Sequence, residues 1–402
     1  MRCAVWVAVV LMGVVGGACA RPVAAAEGRP RVFLMDGEAL ERARARVAAG
    51  GEKAAVEGLR KEAETALARR VMSVMDKALT PPSGDKHDYM SVGPYWWPDP
   101  TKPDGLPYVR KDGEVNPDRK GGDTDATAFG QTQEAIETLA VAWYFTRDER
   151  FAAGAAKRLR AWFLDPATRM NPHLKYGQAI PGRTEGRGIG IIDTTPLCGT
   201  VDAIGLLGGS AAWTDADQRG MVEWYGAYLD WLRTSKHGRD EDATSNNHGV
   251  WFDAQVACYA LFAGRPEVAK EVLEATRARR IDAQIAADGR MPHEIARTRS
   301  LDYTVFTLRA FFVLGRCGEH AGVDVWSYVG ADRAGIRAAV EYVAPYADPA
   351  RKWPHPQIRP GAPAGLGAVL RRAAVVYREP RFAEIAAKYC AVEDGARERL
   401  VE

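Results

Sequence analysis

Beyond residue 35, apolar residues recur at three- and four-residue spacing, and alternating runs are few. Met221, Trp224, Tyr225, Tyr228, Leu229 and Leu232 place one wide apolar stripe on a single helix face. Similar stripes run through 133–145, 250–262, 304–314 and 364–377, so the pattern predicts an all-α protein. Three stretches repeat one joint: an aromatic helix end, a polar turn and a new apolar start. They are Tyr144-Phe145 to Phe151-Ala152, Leu261-Phe262 to Val268-Ala269, and Val376-Tyr377 to Phe382-Ala383. Each reads as an αα-hairpin with a short connection. Hairpins that cannot bury their faces alone must stack. Long loops between them favour a closed (α/α) toroid over an open solenoid, with a cleft at the inner helix ends.

Two segments break the helical pattern. Residues 80–130 concentrate prolines, glycines and aspartates around Tyr89-Met90-Ser91-Val92-Gly93-Pro94-Tyr95-Trp96-Trp97-Pro98-Asp99-Pro100. Residues 171–195 carry His173-Leu174-Lys175-Tyr176-Gly177-Gln178 and Gly182-Arg183-Thr184-Glu185-Gly186-Arg187-Gly188. Loops this long inside a compact fold usually carry function. No linker splits off a second unit, so 27–402 is expected to form a single toroid domain.

Composition bounds the partners. With 47% hydrophobic and 26% charged residues over 402 positions, the chain is globular rather than fibrous or disordered. Its 54 basic against 52 acidic side chains leave no overall bias toward nucleic acid, so any polyanion must be gripped by a local patch. A basic start at Met1-Arg2, an apolar run over 4–15 and small residues up to Ala26 form a secretory signal, residues 1–26, too short to span a membrane. A periplasmic or secreted protein is expected. A lipoprotein anchored at Cys19 ranks second, because Val15-Gly16-Gly17-Ala18 lacks the expected leucine. No later stretch is expected to cross a membrane, and the mature chain is expected to be a monomer. Cys198, Cys258, Cys317 and Cys390 are too widely spaced for a zinc knuckle and read as structural, with Cys198 and Cys258 as free buried thiols.

Two clusters could carry chemistry. Ser245-Asn246-Asn247-His248-Gly249-Val250-Trp251 opens a strongly apolar helix, with Ser245 or Asn246 as the cap and Asn247 and His248 at the positive helix end. Met291-Pro292-His293-Glu294-Ile295-Ala296-Arg297-Thr298-Arg299-Ser300-Leu301-Asp302-Tyr303 brings guanidinium and phenol to the entry of another apolar helix. Taken singly, each cluster also reads as capping, core packing or surface ion pairing. Together, amide, imidazole, guanidinium and phenol suit β-elimination at a uronic acid. The C5 proton becomes acidic once the adjacent carboxylate is neutralised, a task for Asn247 and Arg297. A tyrosine whose pKa is lowered by nearby cations can remove that proton and protonate O4 on one sugar face. His248 either assists neutralisation or acts as the base on the opposite face.

These residues resemble the alginate lyase domain family of polysaccharide lyases. The resemblance is carried by Asn246-Asn247-His248 before an aromatic-bearing helix and by the Arg-to-Tyr303 helix start. The Tyr95-Trp96-Trp97-Pro98-Asp99-Pro100 loop, with Leu106-Pro107-Tyr108 and Asn116-Pro117-Asp118, is similar to a secreted bacterial branch. It spans about Thr80 to Tyr303. It implies an incomplete (α/α) toroid of αα-hairpins, metal-independent cleavage and a catalytic set of Asn247, His248, Arg297 and Tyr303. The sequence departs from the family's best-known members at Gly249-Val250, where those have a serine and an aromatic, and in an Arg297-to-Tyr303 spacing one residue shorter, which keeps Arg299 a candidate.

Tyr89, Tyr95, Trp96 and Trp97 offer flat faces for sugar rings, although the two tryptophans could equally plug the toroid floor. Lys175, Arg183 and Arg187 would pair with carboxylates, and His173, Tyr176, Gln178, Asn246 and Arg299 complete the expected binding set. The expected partner is an acidic polysaccharide, with no metal and no cofactor. A glycoside hydrolase using Asp193 and Glu185, and a non-catalytic carbohydrate-binding protein, are the alternatives.

Overall fold

The computed structural model describes residues 29–401 apart from 331, 360, 362 and 364. The expected signal segment and Cys19 lie outside the described residues. The α-helices are α1 (Gly37–Ala48), α2 (Lys53–Ala68), α3 (Ala126–Thr146), α4 (Glu149–Leu159), α5 (Leu197–Leu206), α6 (Asp215–Thr234), α7 (Lys236–Asp242), α8 (Asn247–Phe262), α9 (Pro266–Thr276), α10 (Pro292–Ile295), α11 (Ser300–Ala321), α12 (Ile336–Val343), α13 (Leu366–Val376), α14 (Pro380–Tyr389) and α15 (Glu398–Val401).

The three predicted joints are hairpin turns. Arg147, Gly264 and Arg378 adopt left-handed backbone at φ 55°, 73° and 51° and end α3, α8 and α13. Pro266 and Pro380 then open α9 and α14 at a position that needs no N–H donor. α3 packs on α5, α5 on α8, and α8 on α11, while α4, α6 and α9 lean on them from outside. The difference is written in composition. In α6 the predicted stripe Met221, Trp224, Tyr225, Tyr228, Leu229 and Leu232 is buried while the opposite face is charged. α8 is mostly apolar and buried on every side, with every residue in it except His248 buried. The layered helical hairpins form an (α/α) toroid.

By length and a mean hydropathy of 1.2 alone, Gly188–Leu206 reaches what a membrane-crossing helix needs. Here it is a short turn followed by α5, with 61% of the stretch buried inside the fold, as a core helix requires. Cys198, Cys258 and Cys317 are buried free thiols, and Cys390 is half-buried and free.

The two long loops are not independent. Short strands β1 (Met90–Val92), β2 (Trp96–Trp97), β3 (Val109–Arg110) and β4 (Tyr176–Ala179) lie within them. β1 and β4 pair in parallel through Met90↔Tyr176 and Val92↔Ala179, which fastens one loop to the other. β2 and β3 pair antiparallel within the first loop. The β1–β4 ladder is irregular, and Gln178 sits there at φ 49°, a conformation uncommon for a residue with a side chain. Its N–H donates to Ser91 Oγ at 2.8 Å, which holds the kink.

Candidate active site

The N-terminus of α8, the α10–α11 connection and both loops enclose a cavity of about 420 Å³. Its walls include Tyr95, Trp96, Asn246, Asn247, His248, Arg297 and Tyr303, so the two clusters singled out in the sequence face one space. Asn246 caps α8, its side-chain oxygen accepting from the His248 N–H at 3.1 Å.

Two buried carboxylates set the first wall. Glu294 of α10 accepts from the Asn247 backbone N–H at 2.6 Å and from Asn247 Nδ2 at 2.9 Å. Burial raises the Glu294 pKa despite these donors. Asn247 Oδ1 is buried with no protein partner. Glu241 of α7, fully buried, lies 2.8 Å from His248 Nδ1. A carboxylate there takes Nδ1–H as its donor, which fixes the imidazole and leaves Nε2 for the cavity. Gly249 is required by packing, since a Cβ would collide with the Thr244 carbonyl and the Arg280 guanidinium. That guanidinium is committed to buried Asp253, which accounts for glycine at one of the two places where the sequence departs from the family.

The second wall is phenolic. Tyr303 Oη is 2.5 Å from Tyr95 Oη and accepts from Arg297 Nη2 at 2.9 Å. The Arg297 guanidinium also lies 4.0 Å from the centre of the Tyr303 ring and is held by Asp112 at 2.8 Å. Arg297 is thus the arginine of this wall, while Arg299 turns to Asp302 at 2.8 Å. The expectation of a lowered Tyr303 pKa is reversed: burial, then the adjoining Tyr95 hydroxyl, push it above its ordinary value and outweigh Arg297.

The third wall is cationic. Arg110, Arg119 and Arg187 line it. Arg119 reaches it from the first loop and is neutralised by Asp193 at 2.9 Å. Among the described residues, Arg187 donates to Gln178 alone, through Nε to the carbonyl at 2.8 Å and Nη2 to Oε1 at 3.1 Å. Among the described residues it has no carboxylate in ion-pair reach, and burial lowers its pKa to about 10. Gly93 makes room for it, since a Cβ would stand 2.8 Å from Arg187 Nη2 and 2.6 Å from the Trp96 ring.

Several expected binding residues lie elsewhere. Tyr89 is 0% exposed and donates to Asp193 at 3.0 Å, and Tyr176 on β4 is 2% exposed, so neither offers a face to a sugar. His173 sits behind the wall on Asp88 at 3.0 Å and against Trp231. Lys175 is exposed over Tyr176. Trp96 lines the cavity, but Arg183 and Arg187 stand 5.4 and 5.9 Å from its ring centre. Trp97 is off the cavity, half-buried, with its indole N–H on the Glu114 carbonyl and Lys111 over its ring. Arg183 is exposed and donates to the Tyr108 carbonyl. Gln178 and Asn246 do line the cavity. The hydrolase pair does not come together: Asp193 lines the cavity, but its carboxylate is spent on Arg119, Ser91 and Gln178, which hold its pKa low against the upward push of burial, while Glu185 is exposed away from the cavity.

Sequence reasoning missed Glu241, Asp112 and Arg119, and it gave Glu294 only a surface ion-pairing part. Glu294 had a signal, as the acid of a Pro-x-Glu turn just before the arginine cluster.

Residues 73–353 match the family model described as alginate lyase. Among solved structures, an alginate lyase from Bacteroides ovatus superposes with a TM-score of 0.88 at 37% identity, covering 92% of this chain and 99% of that one. A histidine-to-alanine variant of alginate lyase A1-III complexed with a tetrasaccharide gives a TM-score of 0.58 at 15% identity, covering 93% and 97%, a likeness of fold. No curated protein matches the sequence.

Proposed function

The chain belongs to the alginate lyase family, and from that premise we propose that it cleaves an acidic polysaccharide, alginate above others, by β-elimination. The observation that supports this most directly is the cavity itself. A guanidinium with no carboxylate partner among the described residues, a phenol bonded to a second guanidinium and an imidazole backed by a buried carboxylate line one space. Such a space favours an anionic sugar and supplies both proton-transfer partners.

In this reading Asn247, Arg297 and Arg187 surround the uronate carboxylate and stabilise the charge that develops when the C5–H bond breaks. His248 Nε2 takes the proton. The electron pair closes the C4=C5 double bond, the C4–O4 bond breaks, and the departing oxygen takes a proton from Tyr303. The raised pKa of Tyr303 suits it to donate, since the phenol rests protonated. Tyr303 serving as both base and acid is the second reading, favoured by the Arg297 hydrogen bond that would stabilise its phenolate.

The opening residues support export to the periplasm or medium, where such a polymer is met. The test is incubation with mannuronate-, guluronate- and glucuronate-rich polymers. Growth of ultraviolet absorbance from the new double bond is expected, and a new reducing end without that absorbance refutes elimination.

A further inference from the structure

The Tyr95–Tyr303 pair is a partition with space on both sides. Beyond it lies a second cavity of about 270 Å³ that shares Tyr95, Tyr303 and Phe306 with the first and adds Arg299, Asp302 and Arg309. Asp302, Phe306 and Arg309 stand at i, i+4 and i+7 on α11, one face of one helix. A third hollow, of about 230 Å³, shares Arg309 and extends toward Phe312 and Val313 on the same helix. The cleft therefore runs past the phenols along α11.

The charges along this extension are not equivalent. Arg299 and Asp302 neutralise one another at 2.8 Å. Arg309 is exposed to the groove and has no carboxylate within ion-pair distance among the described residues, with Glu137 acting on it only from farther off. Its stem is seated, because Gly365 leaves room for the Arg309 Cδ where a Cβ would stand 3.0 Å away. A polyuronate carries a carboxylate on every sugar, so a chain threaded past Tyr303 brings another carboxylate into this groove.

Resting on the lyase reading, we propose that Arg309 forms a distal subsite, pairing with the carboxylate of a uronate on the far side of the Tyr95–Tyr303 pair while Phe306 supports the sugar between. Losing one charge-assisted pair at a solvated site corresponds to about a tenfold change in affinity.

The test compares the parent with Arg309→Gln and Arg309→Lys on a polyuronate and its size-fractionated oligomers, following the unsaturated product. Calorimetric binding of the same oligomers to Tyr303→Phe and to Tyr303→Phe/Arg309→Gln runs beside it. The expected result is a KM about tenfold higher for long substrates in Arg309→Gln with kcat within about twofold. The difference should vanish for the shortest cleaved oligomer, shrink at high salt and be partly restored by lysine. Equal KM at every length overturns the subsite while leaving the lyase reading intact. If the parent forms no unsaturated product, it is the lyase reading that fails; calorimetry then decides Arg309 alone, and equal affinity of the two variants overturns it.

Discussion

Tyr303→Phe is the sharpest perturbation of the site. It removes one oxygen that bonds Tyr95 at 2.5 Å and Arg297 at 2.9 Å and leaves the ring, over which the guanidinium sits at 4.0 Å. Arg297 keeps Asp112 through two hydrogen bonds, so no buried cation is stranded. The stability loss is then that of two hydrogen bonds, about 1–3 kcal/mol, within what a folded domain tolerates. The kinetic loss is larger. Withdrawal of a positioned proton donor lowers kcat about 10²–10⁴-fold, or about 3–5 kcal/mol of barrier. Because the carboxylate-facing groups Asn247, Arg187 and Arg297 are untouched, KM should stay within about threefold. Steady-state absorbance of the unsaturated product gives both constants, and a melting curve checks the fold. A variant that melts like the parent yet keeps more than a tenth of its kcat would remove Tyr303 from proton transfer.

Further outcomes are expected. Glu241→Gln should lower kcat at least about tenfold with little change in KM, because an amide no longer dictates which imidazole nitrogen carries the proton; unchanged kcat would sever that link. Gly93→Ala should push Arg187 and Trp96 from their places and raise KM, which inhibition by a short uronate oligomer can confirm as weakened binding. Glu137, whose carboxyl burial raises to about 7 against Arg397 and Arg309, contributes stability that is full below about pH 4.5 and lost as pH rises through 7. Glu137→Gln should therefore melt higher than the parent at pH 8 relative to pH 5, by up to about 3 kcal/mol, and parallel profiles would refute this.

Helix periodicity carried most of the fold. The aromatic–polar–apolar joints located the αα-hairpins because a left-handed residue, followed by a proline in two of the three, leaves a local mark. The Asn247-His248 and Arg297-to-Tyr303 clusters were legible because each sits at a helix start with its chemistry in one short run. What stayed hidden was set by pairing between distant segments. Tyr89 looked like a sugar platform and Tyr176 like a neighbour of the bound sugar because they sit in polar loops, but they flank or belong to the β1–β4 pair, and burial there turns them into core. Asp112, Arg119 and Glu241 join the site from segments with no motif of their own. The direction of the Tyr303 pKa depended on burial and on Tyr95, neither of which is local in sequence.

The parallel ladder between Met90–Val92 and Tyr176–Ala179 carries a lesson for anyone redesigning this scaffold. Swapping either segment alone for one of different backbone course would orphan its mate's backbone donors and acceptors, so the two form one cassette, to be transplanted jointly or left alone.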